Sequence, residues 1–222
     1  MLKYKFRDII PISIDNTLLE GELLIPYNSH SLVIFSHVKE NSRFSLRNKI
    51  IEKELHSLGI STFQFDLLTK KEEQSEANQL NIDLLSERLI FATYYLSLHE
   101  ECRDLRFGYF GNGNGAAYAI HSAVALPDLI STIVLCGSQL DLAINLATRV
   151  KAPTLLIVAE NDSEALQQNK KFYKSLTCET LIDVIPNVTS LFKNPNTLHE
   201  AAKITGDWCN IFLQNKKEKL SA

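Results

Sequence analysis

No stretch of the 222-residue chain approaches the roughly 18 consecutive apolar residues that a membrane-spanning helix needs, so no membrane-spanning helix is expected. The opening residues, Met1-Leu2-Lys3-Tyr4-Lys5-Phe6-Arg7-Asp8, lack the apolar block of a secretion signal, and a cytoplasmic location is the expectation. Charge of one sign is missing too. The formal net charge is −3, which gives no sign of a polyanion-binding face, so neither nucleic acid nor a membrane is an expected partner. The one basic cluster, Lys216-Lys217-Glu218-Lys219, reads as a solvated terminus. Cysteine is sparse and scattered. Cys102, Cys136, Cys178 and Cys209 form no C-x-x-C pair and have no histidine at zinc-ligand spacing, so no metal site and no disulfide framework is expected. They read as small buried apolar side chains. No repeat, low-complexity segment or Pro/Gly/Ser linker divides the sequence, so one domain spanning 1–222 is expected.

What the chain does have is alternation between apolar runs and segments of helical period. Residues 9–14 and 18–26, separated by Asp15-Asn16, predict an antiparallel hairpin. Continuous apolar runs at 32–35, 62–65, 107–110, 130–135, 154–158 and 181–185 predict strands buried on both faces, as in a parallel sheet. Between them, 46–58, 82–98, 116–125, 164–176 and 198–213 carry helical spacing, with Gly59 as a natural stop after the first. The fold class is therefore α/β: a three-layer α/β/α sandwich with a mostly parallel sheet and an N-terminal antiparallel hairpin. In such sheets ligands are handled at the carboxyl ends of the strands.

At one such end stands Gly111-Asn112-Gly113-Asn114-Gly115-Ala116-Ala117, directly before a helix. This is the frame of the nucleophile elbow, G-x-S-x-G, with Gly113 at its centre. A second use of the same glycines is anion capture by exposed backbone N–H groups, with Arg43 and Arg47 as charge partners. The spacing is not the dinucleotide G-x-G-x-x-G, and the tight turn already accounts for the glycines.

Five blocks in order resemble the small α/β-hydrolases of the dienelactone hydrolase family. They are His37-Val38-Lys39-Glu40-Asn41-Ser42-Arg43; Asp66-Leu67-Leu68-Thr69-Lys70-Lys71-Glu72-Glu73; Gly108 through Gly115; Ala152-Pro153-Thr154 through Asp162; and Val188-Thr189-Ser190-Leu191-Phe192 through Leu198. The resemblance implies the α/β-hydrolase fold and no cofactor. It places the nucleophile at Gly113, the base at Ser190, the acid at Asp162, and the oxyanion pocket at Val38 and Asn114. Only Asp162 keeps its type.

A carboxylate serves to orient an imidazole, and the imidazole to deprotonate a hydroxyl, so Asp162 alone has nothing to act on. The expectation is a degenerate, non-catalytic hydrolase whose former cleft takes a small-molecule, anionic or protein ligand, with His37, Arg43 and Cys136 as candidate contacts and a homo-oligomer open. The alternative is an ester or lactone hydrolase with a non-standard nucleophile. Ser36 beside His37, Cys136 and Ser138 are its candidates, and against it Cys136 reads as a structural thiol. Asp162 reads equally as a cap for the helix that follows it. Arg43 reads equally as a brace against Glu72 or Glu73. His121 and His199 read as surface or packing residues, and Trp208 and Phe212 as core.

Overall fold

The hairpin forms because Asp15 and Asn16 both accept positive φ (46° and 63°), which a two-residue turn of primed type requires. It joins β1 (Tyr4–Ile14) to β2 (Thr17–Pro26), with Ile14 opposite Thr17. In this computed structural model, residues 3–37 and 45–213 are described. β3 (Ser31–His37), β4 (Ser61–Asp66), β5 (Arg106–Gly113), β6 (Ile130–Ser138), β7 (Thr154–Ala159) and β8 (Thr180–Ile185) complete one sheet of order β1-β2-β4-β3-β5-β6-β7-β8. The first two pairings, β1 with β2 and β2 with β4, are antiparallel, and the rest are parallel.

The helices are α1 (Leu46–Ser57), the short α2 (Glu76–Gln79), α3 (Ile82–Leu98), α4 (Gly115–Ala125), α5 (Ser163–Ser175) and α6 (Pro195–Leu213), with a 3₁₀ segment over Asp141–Arg149. Alternation along the strands separates two cores. Leu32 and Ile34, Tyr109, Ile133 and Leu135 join one face together with residues of α3, α4 and α5. Val33 and Phe35, Phe110, Val134 and Cys136 join the other with residues of α1 and α6. The two faces make the three layers, as the apolar runs predict.

α1 ends as Gly59 implies. Gly59 has φ 73°, its N–H donates to His56 O, and Ile60 N–H donates to Leu55 O, so two orphan carbonyls are satisfied while Leu55 and Ile60 share one core. The 3₁₀ segment and α2 were not expected from periodicity. Ala143 and Ala147 are buried there, but three residues per turn gives no amphipathic signal of period 3.6. Among the described residues no helix is long and apolar enough to cross a membrane.

Candidate functional site at the carboxyl ends of the strands

β5 runs on through Gly113 before turning into α4. Two glycines there have different causes. A Cβ on Gly111 would lie 2.8 Å from Ala116 Cα and 2.9 Å from Gly115 O, so the strand and helix approach too closely for any side chain. Gly113 has φ 51°, in the left-handed region that other residues occupy only with strain. The apex of the bend thus keeps an elbow's backbone and presents no side-chain atom. Asn114 follows in the right-handed helical region (φ −65°), and its carbonyl accepts from Ala117 N–H.

Hydrogen bonds and packing draw the neighbouring loops to this bend. Gly113 is in register with Ser138, and Gln139 N–H donates to Gly113 O. Gly137, at φ 58°, would bring a Cβ to 3.2 Å from Phe192 Cε2, so the loop carrying Ser190 rests on the end of β6. Arg47 of α1 lies over the Phe192 ring at 5.1 Å, which brings the anion reading's second cation to the same loop. Asn161 N–H donates to Val188 O and Asn187 N–H to the Glu160 carboxylate, tying the Asp162 loop to the Ser190 loop. The topology therefore assembles Gly113, Asp162 and Ser190 at one end of the sheet.

What those residues do locally is structural. Asp162 Oδ1 accepts from Ala165 N–H at 3.2 Å and caps α5. Ser190 Oγ accepts from Phe192 N–H at 3.4 Å. The Ser36 hydroxyl is buried and donates to Gly115 O at 2.9 Å, clamping β3 to the start of α4. Cys136 and Ser138 correct an expectation. Both are wholly buried, so neither lines the cleft, and burial pushes the Cys136 thiol up to about 12, far from a reactive thiolate. β6 is a central strand, and Cys136 and its last residue, Ser138, are both covered, which sequence alone does not reveal.

Arg43 and Val38 lie outside the described residues, as does the side chain of His37, whose backbone pairs with Asp66. Glu72, offered as a brace for Arg43, has another partner: Arg88 donates to both its oxygens at 2.7 and 2.9 Å, and Thr69 adds backbone and hydroxyl donors. The Arg88 guanidinium, chiefly, holds the Glu72 carboxyl down at about 2. The Thr69 and Glu72 of the second block thus form a staple between that loop and α3. Two further contacts beside the bend had no signal in the sequence. Asn112 Nδ2 donates to Asn48 Oδ1 at 3.3 Å, linking the elbow to α1, and Asn169 Nδ2 donates to Ser138 O at 2.9 Å, linking β6 to α5.

Among the described residues, hydroxyls meet an imidazole at a different place, around His56. His56 Nε2 lies 2.8 Å from Thr62 Oγ1 and its Nδ1 lies 3.0 Å from the Tyr4 hydroxyl. Glu52 accepts from Gln64 and from Lys49, and Lys49 also donates to Glu22. Thr62 sits near the amino end of β4, and Thr62, His56 and Glu52 are all buried, so no substrate reaches them. Burial, aided by the Lys49 charge, holds His56 down at about 4, and burial raises Glu52 despite Lys49. Of the remaining histidines, His121 approaches Leu142 O at 3.5 Å, His199 meets Pro195 O at 2.7 Å, and His99 packs beside Phe6 and Tyr95. Trp208 donates to Thr132 Oγ1 from the core. Among the described residues no group of three or more His, Cys, Asp or Glu is placed to hold a metal.

No known family model matches the sequence. The chain is 36% identical over 188 residues to a Mycobacterium tuberculosis protein whose name proposes a phosphoribosyl transferase. That alignment takes in 85% of this chain but only 42% of the relative's length. Among solved structures, a Pyrococcus furiosus esterase has the same fold at 16% identity, with a TM-score of 0.75 over 94% of each chain. A dienelactone hydrolase from Anabaena variabilis is 31% identical, with a TM-score of 0.89 over 94% of this chain and 99% of that one. With so complete an overlap at that identity, this chain belongs to the dienelactone hydrolase family of the α/β-hydrolases.

Proposed function

We propose that the chain is a non-catalytic member of its family, which uses the crevice beside the elbow to hold a ligand without breaking a bond in it. The observation that carries this reading is Gly113 at the apex of the bend: the backbone is that of a nucleophile-bearing turn, and there is no oxygen or sulfur on it. Ser190, at the position of the base, has a hydroxyl occupied with its own loop and no imidazole. Acyl transfer needs a nucleophile whose proton is taken by a base, and removing either from a working triad costs about 10⁶ in turnover. The buried state of Ser36, Cys136 and Ser138 argues against the alternative of a substitute nucleophile. Arg47 of α1, stacked on the Phe192 ring, favours an anionic or carboxylate-bearing small molecule as the ligand. The transferase activity in the name of the M. tuberculosis relative falls, on this reading, to the part of that protein this chain does not match.

Two measurements test the proposal together. Wild-type protein incubated with an activated aryl ester should give no turnover above background. The Gly113→Ser, Ser190→His double variant should give measurable hydrolysis, because Asp162 and the loops that carry all three positions are already assembled. Wild-type turnover that disappears in Ser36→Ala would overturn the proposal. A metabolite and anion screen read by melting temperature should find a saturable stabiliser, lost in Arg47→Ala.

A further inference from the structure

Just beyond the end of β6, α5 and the 3₁₀ segment Asp141–Arg149 border a small pocket. It holds about 140 Å³ and is lined by Leu140, Asp141, Ile144, Gln168 and Lys171. Leu140 is buried and Ile144 half-buried, and they supply an apolar surface. Asp141 and Lys171 are exposed and supply one charge of each sign. The two charges line the same pocket, yet among the described residues neither joins an ion pair or a side-chain hydrogen bond. Both are therefore available to a third molecule. Gln168 adds an independent observation. Its Oε1 is shielded from solvent and receives no hydrogen bond, whereas a buried acceptor is ordinarily bonded. Asn169 Oδ1 and Ser138 Oγ, in the same corner, are buried without a partner too. Asn169 Nδ2 is committed to Ser138 O at 2.9 Å and Ala165 O at 2.8 Å, which fixes the amide and leaves Oδ1 as an acceptor with no donor. The fold thus gathers unanswered oxygens between β6 and α5.

We propose that this pocket binds a small zwitterion of the α-amino acid class with a short apolar side chain. The ligand's ammonium group, with three N–H donors, meets the Asp141 carboxylate and Gln168 Oε1. Its carboxylate meets Lys171, and its side chain rests on Leu140 and Ile144. Charge selects this class over its two halves. A bare anion would meet Asp141 and a bare cation would meet Lys171, each a repulsive contact, while a zwitterion satisfies both. Lys171 also borders a groove on the other side of α5, where Lys170 and Lys174 join it and only Glu160 is acidic. Asp141 is what makes the inner pocket bipolar. Size agrees as well. At about 30 Å³ per water, the pocket has the room of four or five waters, the scale of valine and far below that of a nucleotide. Arg47, the charged contact of the crevice, does not line this pocket, so the two sites stand or fall independently.

Titration of the intact, isotope-labelled chain with L-valine, isobutylamine and isobutyrate, each to about 10 mM and read by backbone amide chemical shifts, tests this. L-Valine should bind saturably and move the amides of residues 140–144 and 168–171. The amine and the carboxylate, each carrying half of the zwitterion, should bind at least tenfold more weakly. Asp141→Asn and Lys171→Gln should each weaken valine at least tenfold, with melting temperatures within about 2 °C of wild type because both side chains are exposed. Gln168→Leu, which removes the acceptor at similar volume, should weaken it too. Arg47→Ala should leave valine binding unchanged. No saturable shift with valine, isobutyrate or isobutylamine binding as tightly as valine, indifference to Asp141→Asn, or loss in Arg47→Ala would overturn the proposal.

Discussion

At the carboxyl ends of the parallel strands, where this fold handles its ligands, stand Gly113, Ser190 and Asp162, with few reactive atoms among them. Between α1 and the antiparallel part of the sheet stand Tyr4, Lys49, Glu52, His56 and Thr62, holding every group an acid–base mechanism uses. The poor set lies where substrates arrive and the rich one is sealed. The second set shows what such groups do without access: a hydroxyl, an imidazole and a carboxylate, all desolvated and mutually bonded, become a strut that fixes α1 to β4. Residue type therefore carries chemistry only together with position on the sheet and a path from solvent.

If that contrast holds, perturbing the strut should cost stability and perturbing the crevice should cost little. Glu52→Ala leaves the buried Gln64 amide and Thr62 hydroxyl without their acceptor, while Lys49 keeps Glu22, and each stranded buried group costs about 1–3 kcal/mol. The melting temperature should fall by roughly 10 °C in a thermal scan, at about 2–4 °C per kcal/mol for a chain of this size. An unchanged melting temperature would show that the network is not a strut.

Acid should act on the same place. The folded value for His56, about 4, lies below its ordinary 6.5, so the neutral form is the one that fits the fold. Its contribution is complete above pH 6.5 and is lost as the pH falls through 4, amounting to about 3 kcal/mol. His56→Gln should flatten the stability profile across that window in denaturant titrations. Glu72, held at about 2, loses its contribution only at still lower pH, below 4.5, so the two regions separate in a pH series.

The smallest effect belongs to the crevice. Asp162→Ala should cost about 1 kcal/mol through the lost cap, whereas Asp162→Asn, which caps as well, should change the melting temperature hardly at all. A large loss in Asp162→Asn would mean that the carboxylate's charge has work beyond the helix end.

The contrast also marks what could be read in the residues. Residues 82–98 are legible as a helix to the residue because their period is long and uninterrupted, and the central strands β3, β6 and β7 are legible because each holds an unbroken apolar run. The elbow was legible because a tight bend leaves glycines at fixed spacing. The strut was not. Tyr4 and His56 are 52 positions apart, and nothing local announces their meeting. Glu72 was visible as a brace but its partner was not, since Arg88 lies 16 residues on, inside a helix whose period says only that the position is buried. Cys136 and Ser138 escape a local reading for a related reason: the apolar run ends before them, but cover does not, because neighbouring elements continue it.

Gly113 has a consequence for the direction in which such a protein changes. A side chain held at that left-handed bend carries a standing conformational penalty of about 1–2 kcal/mol, which glycine removes. On the proposed reading, exchanging a side chain there for glycine relaxes the crease, while acyl transfer at this bend would require a hydroxyl, an imidazole and the strain all at once. The bend then behaves as a ratchet, easy to turn toward glycine and stiff in the other direction, with its shape set by the backbone alone.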